Sequence, residues 1–305
     1  MRVIVTNYTR FVRYAWLLMP WLLSMMLTAA DLRIDHVTVA GKDLKAMQST
    51  LAALGLATEY GGPHSNHATE MALTSFPDGS YLELIAIQSN ADAAAVAAHY
   101  WSTRMQNNAG PAAWAVRPDD LPGEVKRLEA SGVAVTSPVR AGRARPDGVP
   151  LDWETANVGQ EPNGTFFPFL IRDFTPREQR AYPTGKPATQ DFSGVARVVI
   201  AVRDLAASAK RYRTAYGLPE PVQQDDAKFG ARLASFDGTP VVLATPRNRE
   251  SWLAARLDKI GEGPCAFILQ ARNAKSYRVT SKTTWFGTVV SWLDTGKTGW
   301  WLGFE

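Results

Sequence analysis

The stretch that decides the fold is IDHVTVAGKDL, from Ile34 to Leu44. Its β-branched residues predict a short strand, and Asp43 stands where its side chain can cap a following helix. The same order of an apolar run, a polar turn and a helix-like segment begins again at Ala112, Val195 and Cys265. The fourth helix signal, AKSYRVTS, is the weakest of the set. The chain is therefore predicted to use one structural unit four times.

Three further strand signals follow the helix of the first unit. They are ATEYGG, TEMALTSF and, after a Pro-Asp-Gly turn at 77–79, SYLELIAI. The unit thus reads strand-helix-strand-strand-strand, and the third unit shows the same order. Units of roughly 70 to 85 residues with this mixture are typical of tandem α+β modules rather than of a solenoid. We predict an α+β fold of about four βαβββ modules in two halves.

Composition suggests where the two halves begin and end. Residues 31–175 are predicted to form the first domain, a pair of βαβββ modules. The polar, Pro-rich stretch 176–191 is the best linker, because turn-forming residues cluster there. Residues 192–305 are then a second, diverged half.

Residues 1–30 have the pattern of a secretory signal. They contain Arg2, Arg10 and Arg13, no acidic residue, and then the apolar run YAWLLMPWLLSMMLTA. A basic head, an apolar stretch and small residues at the end predict a cleaved signal peptide and export to the periplasm or the medium. An uncleaved segment that tethers the protein to a membrane is the alternative.

The charge and cysteine counts exclude several classes of function. The formal charge of +4 includes the three arginines of the signal segment, so the rest of the chain is close to neutral. Nucleic-acid binding loses its support, because it depends on a basic surface that neutralises phosphates. A single cysteine excludes an internal disulfide framework and a Cys-based zinc site. The sequence has no P-loop or dinucleotide fingerprint, so we expect no nucleotide cofactor.

Several motifs resemble the vicinal-oxygen-chelate superfamily, and more narrowly its glyoxalase-like domains. His36 lies on the first strand of the unit, and Glu83 lies on the last, within a Pro-Asp-Gly-x-Tyr-Leu-Glu-Leu run. RARPDGVPLDW (143–153) and FFPFLIRD (166–173) fit as well. The resemblance implies paired modules that curl into half-open barrels around a small-molecule cleft. Members use that cleft for metal-assisted isomerisation, dioxygen chemistry, epoxide opening or sequestration of a drug.

His36 and Glu83 are the candidate metal ligands. Strand alternation puts Ile34, His36 and Thr38 on one face, and puts Glu83 among mostly apolar residues. An ionised carboxylate there costs folding free energy unless a cation or a hydrogen bond compensates its charge. A divalent Zn, Fe, Mn or Ni ion shared with His36 would do so. Alternatively, Glu83 pairs with an arginine or faces solvent, and His36 forms a hydrogen bond inside the core.

A catalytic metal site usually needs three protein ligands and an open position. The resemblance implies that further ligands come from matching strands of the paired module, yet the residues at those positions are poor ligands: Ala113, about Pro168, Arg197, Val242, about Ala266 and about Gly303. A third ligand would have to come from PHSNHATE, which contains His64, His67 and Glu70. We take His67 as the candidate third ligand and Glu83 as the candidate catalytic group.

Four residues are candidates for substrate binding. Arg143 and Arg145 lie in a Gly-rich loop and could hold a carboxylate or phosphate by paired hydrogen bonds. Trp153 and Phe169 could line an apolar cleft. For all four, a structural role in a loop or in the core is the alternative.

Two functions stay open. The first is a metal-dependent lyase, isomerase or dioxygenase that acts on a small oxygen-rich molecule. The second is a non-catalytic protein that kept the cleft for ligand binding and lost the metal. Both expect a small-molecule ligand, no nucleic acid, and membrane contact only through an uncleaved signal, and both leave a homodimer open.

Overall fold

The protein folds into two eight-stranded sheets, one from each half of the chain. The structure is a computed structural model, and it describes residues 32–160, 162–296 and 298–305. The predicted signal peptide lies outside these ranges. None of the helices within them is long and apolar enough to cross a membrane.

The first sheet contains the first eight strands in the order β2-β3-β4-β1-β5-β8-β7-β6. Their bounds are β1 (Ile34–Ala40), β2 (Glu59–Pro63), β3 (Thr69–Ser75), β4 (Tyr81–Ile87), β5 (Gly110–Val116), β6 (Val139–Ala144), β7 (Pro150–Ala156) and β8 (Phe169–Asp173). Its helices are α1 (Leu44–Ala53), α2 (Ala93–Ala98), α3 (Ser102–Gln106) and α4 (Leu121–Ala130). Two βαβββ modules therefore meet where β1 pairs antiparallel with β5.

The second sheet repeats this arrangement, in the order β10-β11-β12-β9-β13-β16-β15-β14. Its strands are β9 (Phe192–Ala201), β10 (Val222–Asp226), β11 (Ala231–Ser235), β12 (Val241–Pro246), β13 (Gly263–Ala271), β14 (Val279–Trp285), β15 (Thr288–Leu293) and β16 (Trp301–Phe304). The remaining helices are α5 (Arg177–Ala181), α6 (Leu205–Tyr216) and α7 (Trp252–Ile260). The prediction of an α+β fold built from four βαβββ-like modules in two halves is confirmed.

The predicted helix starts are accurate in the first three modules. The carboxylates of Asp43, Asp120 and Asp204 each accept a hydrogen bond from the backbone N–H three residues later. The fourth module departs from the prediction, because no helix follows β13 within the described residues. The Val and Thr residues after Arg278 favour extended backbone, and they form β14 instead.

One hydrophobic core joins the halves. It lies on the outer faces of both sheets, where Leu51 of α1, Leu128 of α4 and Tyr212 of α6 pack with strand residues of both halves. Arg256 of α7 crosses the boundary, since its guanidinium donates to the carbonyls of Ala109 and Pro111. The inner faces of the sheets are thus not part of this shared core.

A β-bulge interrupts the alternation of β1. The pairing with β5 shifts register between Ile34 and His36, so Asp35 is an extra residue on that strand. Ile34 packs in the outer core with Val37, whereas His36 lines the inner face. The prediction that Ile34 shares a face with His36 and Thr38 is therefore wrong at Ile34.

Candidate functional site

The inner face of the first sheet holds a cavity of about 150 Å³. Aromatic and other apolar side chains make up about half of its lining residues, and the ionisable groups among the rest are His36, His64, Glu83, His99, Arg143 and Arg180. A small cavity with few convergent polar groups is the usual form of a binding or active site.

The bulge places Asp35 directly against His36. Nδ1 of His36 lies 2.6 Å from Oδ1 of Asp35, which is completely buried. Burial alone would raise the pKa of Asp35, but the guanidinium groups of Arg177 and Arg180 outweigh it and hold that pKa well below its usual range. The ionised carboxylate accepts the Nδ1 hydrogen bond. When the imidazole is neutral, its proton is therefore on Nδ1, and Nε2 keeps a lone pair that is available to a group in the cavity.

Glu83 lies between two imidazoles. Its Oε2 accepts a hydrogen bond of 2.9 Å from the Thr38 hydroxyl and lies 3.7 Å from Nε2 of His36. Its Oε1 lies 3.8 Å from Nε2 of His64. Glu83 is 6% exposed. Its carboxylate is held at the cavity wall by a threonine and two histidines rather than by an arginine.

His64 is the residue of the PHSNHATE segment that reaches the site. Its Nδ1 lies 2.8 Å from the hydroxyl of Thr69. Burial lowers the pKa of His64 to about 4, so the ring is neutral near pH 7. His67, the predicted third ligand, is exposed in the adjoining turn and does not line the cavity. Glu70 accepts a hydrogen bond from Tyr60 instead.

Strand pairing fixes which residues of the second module match His36 and Glu83. Thr38 pairs with Glu83 across β1 and β4, and in the same way Ala115 pairs with Phe169 across β5 and β8. Phe169 therefore matches Glu83, one residue beyond the predicted Pro168. The ring centroids of Phe169 and His36 lie 5.4 Å apart in an edge-to-face arrangement. An aromatic side chain therefore occupies the position where a second acidic ligand would be.

The other matching positions are as predicted and offer no metal ligand. Ala113 lies opposite Thr38, and Ala266 lies opposite Val199 in the corresponding pair of the second half. Val242 pairs with Val199, as Glu83 pairs with Thr38.

Three of the four predicted substrate-binding residues face the cavity. Trp153 and Phe169 form part of its wall. Arg143 is buried and donates to the carbonyl of Gly61, and burial lowers its pKa. Arg145 does not line the cavity, because it is held by Asp147 and by the carbonyl of Pro183, each at 2.7 Å.

The predicted linker supplies two residues that sequence reasoning missed. Helix α5 brings Arg177 and Arg180 onto Asp35, and Arg180 also contacts Asp173 and donates to the hydroxyl of Tyr81 at 2.7 Å. The Tyr81 ring stacks on His36 with centroids 4.9 Å apart. The available signal was Asp35 itself, an acidic residue inside an apolar strand, which needs cationic partners.

Comparisons with known proteins agree with this fold. A family model described as a glyoxalase-like domain matches residues 34–216. A hypothetical protein from Staphylococcus aureus superposes with a TM-score of 0.61 at 14% identity, covering 90% of this chain and 98% of that one. A mutant 4-hydroxymandelate synthase from Streptomyces coelicolor gives a TM-score of 0.57 at 11% identity, covering 90% and 91%. No curated protein matches at the level of sequence.

A shorter structure, methylmalonyl-CoA epimerase from Mycobacterium tuberculosis, is 19% identical with a TM-score of 0.33, covering 39% of this chain and 91% of that one. Identities this low concern the fold alone. The two sheets have the tandem βαβββ arrangement that the resemblance to the vicinal-oxygen-chelate superfamily implies. Because the family model covers more than half of the chain, this protein belongs to the glyoxalase-like domain family.

Proposed function

We propose that this protein is an enzyme that binds a divalent cation through His36, His64 and Glu83 and acts on a small oxygen-rich molecule in the first cavity. The observation that carries the proposal is the hydrogen bond from His36 to Asp35. It orients Nε2 of His36 toward a buried glutamate at the cavity wall. A histidine with only a packing role would need the hydrogen bond to Asp35, but it would not need its second ring nitrogen beside a buried carboxylate.

The donor set suits a divalent ion. Two imidazoles and one carboxylate form a three-ligand group that leaves coordination positions open for water or substrate. Each donor has an outer partner that orients it: Asp35 for His36, Thr69 for His64 and Thr38 for Glu83.

The distances are compatible with a shared ion after a small adjustment. Two atoms that each lie about 2.1 Å from one ion are at most about 4.2 Å apart. The Glu83 oxygens lie 3.7 Å from His36 and 3.8 Å from His64, within that limit. As they stand, no three His, Cys, Asp or Glu side chains within the described ranges form a ready metal group. We therefore expect binding to draw the two rings toward Glu83.

The side chains around the cavity would divide the work. A bound cation would polarise a substrate oxygen or lower the pKa of bound water. When Glu83 holds the cation through Oε2, the oxygen that Thr38 also contacts, its Oε1 would be free to accept or return a proton. Arg143 places a positive charge on the wall, where it would favour a negatively charged substrate oxygen. Trp153 and Phe169 supply apolar wall, which would limit the water around a bound substrate.

Metal binding by protein purified without a histidine tag tests the proposal. Calorimetry with Zn, Mn and Ni salts, and elemental analysis, should give about one ion per chain. We expect that stoichiometry to be lost in His36→Ala, His64→Ala and Glu83→Ala. His67→Ala is the matched control, because His67 lies in the same segment but is exposed away from the cavity. Equal metal uptake in all five proteins would contradict the assigned ligands.

A non-catalytic binding protein is the second candidate. The replacement of a matching acidic ligand by Phe169 favours it, as does the absence of a ready donor group among the described residues. It predicts that the wild type binds no metal. It also predicts that small oxyacids or diketones still raise the melting temperature in His36→Ala and Glu83→Ala.

Export of the protein is proposed on sequence grounds alone. Residues 1–30 carry the signal pattern. Amino-terminal sequencing of protein recovered from its native host would show a start near Asp31 if the signal is cleaved, and a start at the first residues if it is retained.

A further inference from the structure

His99 reaches the first cavity from the turn between α2 and α3. Helix α2 ends at His99, where the backbone becomes extended, with φ −74° and ψ 124°. The carbonyl of His99 accepts a hydrogen bond of 2.9 Å from the N–H of Ser102, which fixes the turn. The half-buried imidazole is part of the cavity wall, but the three-ligand group proposed above does not use it. The role of this ring is therefore still to be assigned.

The hydrogen bond at Nδ1 determines which nitrogen of His99 carries the proton. Nδ1 accepts a hydrogen bond of 3.1 Å from the backbone N–H of Trp101. A backbone N–H can only donate, so Nδ1 has to be unprotonated, and in the neutral ring the proton is on Nε2. Trp101 is held in place, since it is 3% exposed and its indole N–H donates to the carbonyl of Asn163 at 2.9 Å. The chain thus fixes one tautomer of His99.

His99 is a neutral donor rather than a cation. Burial lowers the pKa of His99 below its ordinary value, although the negative charge of Glu83 opposes this shift. A proton on Nδ1 would also turn the acceptor of the Trp101 N–H into a second donor, and that hydrogen bond would be lost. The ring therefore stays neutral near pH 7 and keeps its N–H at Nε2.

The Nε2–H group of His99 has no partner among the described residues. Within those ranges the side chain of His99 forms its one hydrogen bond at Nδ1, and Nε2 is not enclosed by protein atoms. Phe169 and Trp101 join His36 to His99 along one continuous aromatic wall, in which successive ring centroids lie 5.4 to 6.3 Å apart. A molecule that lies along this wall would meet an unused hydrogen-bond donor at His99.

His36 and His99 present opposite ring chemistry to the same cavity. Asp35 holds the proton of His36 on Nδ1, which leaves a lone pair on Nε2, whereas the Trp101 N–H holds the proton of His99 on Nε2. A metal ion binds the lone pair of a neutral imidazole, so His99 is not a further ligand in this arrangement. An N–H without a partner suits a ligand oxygen, and a neutral N–H needs no full negative charge on that oxygen.

We propose that His99 is a substrate-binding residue of the first cavity, and that its Nε2–H donates a hydrogen bond to a carbonyl oxygen of the bound molecule. The inference rests on the proposed function for the place where substrate binds, and it names small carbonyl compounds as the substrate class. It does not require the metal, because the donor belongs to the ring itself. Loss of metal binding and loss of this donor are therefore separate results.

Nitrogen-15 NMR of the imidazole rings tests the tautomer in protein purified without a histidine tag. The sequence contains four histidines, so four single variants assign all the ring signals. In chelator-treated protein at pH 7, we expect a neutral His99 with its proton on Nε2. A His99 ring that is charged at this pH, or that carries its proton on Nδ1, would overturn the proposal.

Pyruvate and propionate are matched probes of the donor, because pyruvate has one additional carbonyl oxygen. Both are titrated into chelator-treated protein, so that no metal supplies the contact. We expect the wild type to bind pyruvate about three- to tenfold more tightly than propionate, the ratio that one neutral hydrogen bond gives. His99→Phe should lose this preference. His99→Gln should retain most of it, since its amide N–H lies near the position of Nε2.

The control is His67→Gln, which changes a histidine that is exposed away from the cavity and should keep the wild-type preference. Each preference compares two ligands on one protein, so a partial folding defect in His99→Phe does not imitate the expected result. No preference for pyruvate in the wild type, absence of binding included, would overturn the proposal. An equal preference in the wild type and in His99→Phe would overturn it as well.

Discussion

The inner faces of the two sheets have the same strand order and opposite contents. In the first half, the matching positions hold Thr38 and Glu83 around a cavity. In the second half, they hold Val199 and Val242 in a cluster that is filled with large rings. The rings belong to Phe229, Trp252, Trp285, Trp292 and Trp301. The ring centroid of Phe229 lies 5.0 to 5.3 Å from the ring centroid of each of the other four.

This difference shows how one fold serves two roles. A sheet of this curvature can leave its inner face open and polar, or it can fill the face with side chains for stability. In the second half the inner face is filled, since Phe229, Trp285 and Trp292 are completely buried there. We therefore place the proposed function in the first half, and the second half packs against it through the shared outer core.

The largest effect is expected from forcing a carboxylate into the filled half. Val242→Glu places at the matching position the group that Glu83 supplies in the first half. Val242 packs in an apolar, aromatic cluster, so we expect a loss of about 3–5 kcal/mol in the free energy of unfolding. Burial would raise the pKa of the new carboxyl above its unfolded value of about 4.3, so the loss should grow as the pH rises above that value.

Urea denaturation at pH 5 and pH 8 measures both the loss and its pH dependence. Val242→Ala is the matched control, because it removes side-chain volume without adding charge, and its cost should not depend on pH. A Val242→Glu protein as stable as Val242→Ala at pH 8 would show that the second inner face tolerates polar groups after all.

A smaller effect is expected when the open half is made neutral. Glu83→Gln keeps an acceptor for the Thr38 hydroxyl and removes a buried charge. We therefore expect the free energy of unfolding of the metal-free protein to change by no more than about 1 kcal/mol, in either direction. Denaturation in the presence of a chelator checks this. A loss of several kcal/mol would mean that Glu83 is a structural residue, which would remove the contrast between the halves.

The smallest signal is expected from the lone cysteine. Cys265 lies in the filled cluster, and burial raises the pKa of its thiol to about 12. Since the thiolate is the reactive form, only about one thiol in 10⁴ is ionised at pH 8. Ellman's reagent should leave the native protein unlabelled for hours and label it at once in urea. Rapid labelling of native protein would show that this cluster opens readily.

Strand periodicity predicted much of the fold and two of the central site residues. Because side chains alternate strictly along a strand, the positions of His36 and Glu83 on the inner face could be derived from sequence. The helix starts were predictable because a capping aspartate acts within three residues of itself. Features of this kind depend on neighbours that the sequence shows directly.

The rest of the site depends on contacts between distant parts of the chain. Arg177 and Arg180 lie 142 and 145 residues from Asp35, and no local pattern joins them to it. The bulge at Asp35 breaks the alternation on which the face assignment of Ile34 depended. Sequence named three candidates in the PHSNHATE segment, but only the path of the loop after β2 shows that His64 reaches Glu83.

The contribution of α5 has a consequence for how the protein can be divided. A fragment that ended at residue 175 would contain every strand of the first sheet but neither of the arginines that neutralise Asp35. Its buried carboxylate would then be unpaired, and the orientation of His36 would lose its support. The shortest piece of chain that preserves the site must extend at least through Ala181. The segment between the halves is thus structurally part of the first half, although it also connects to the second.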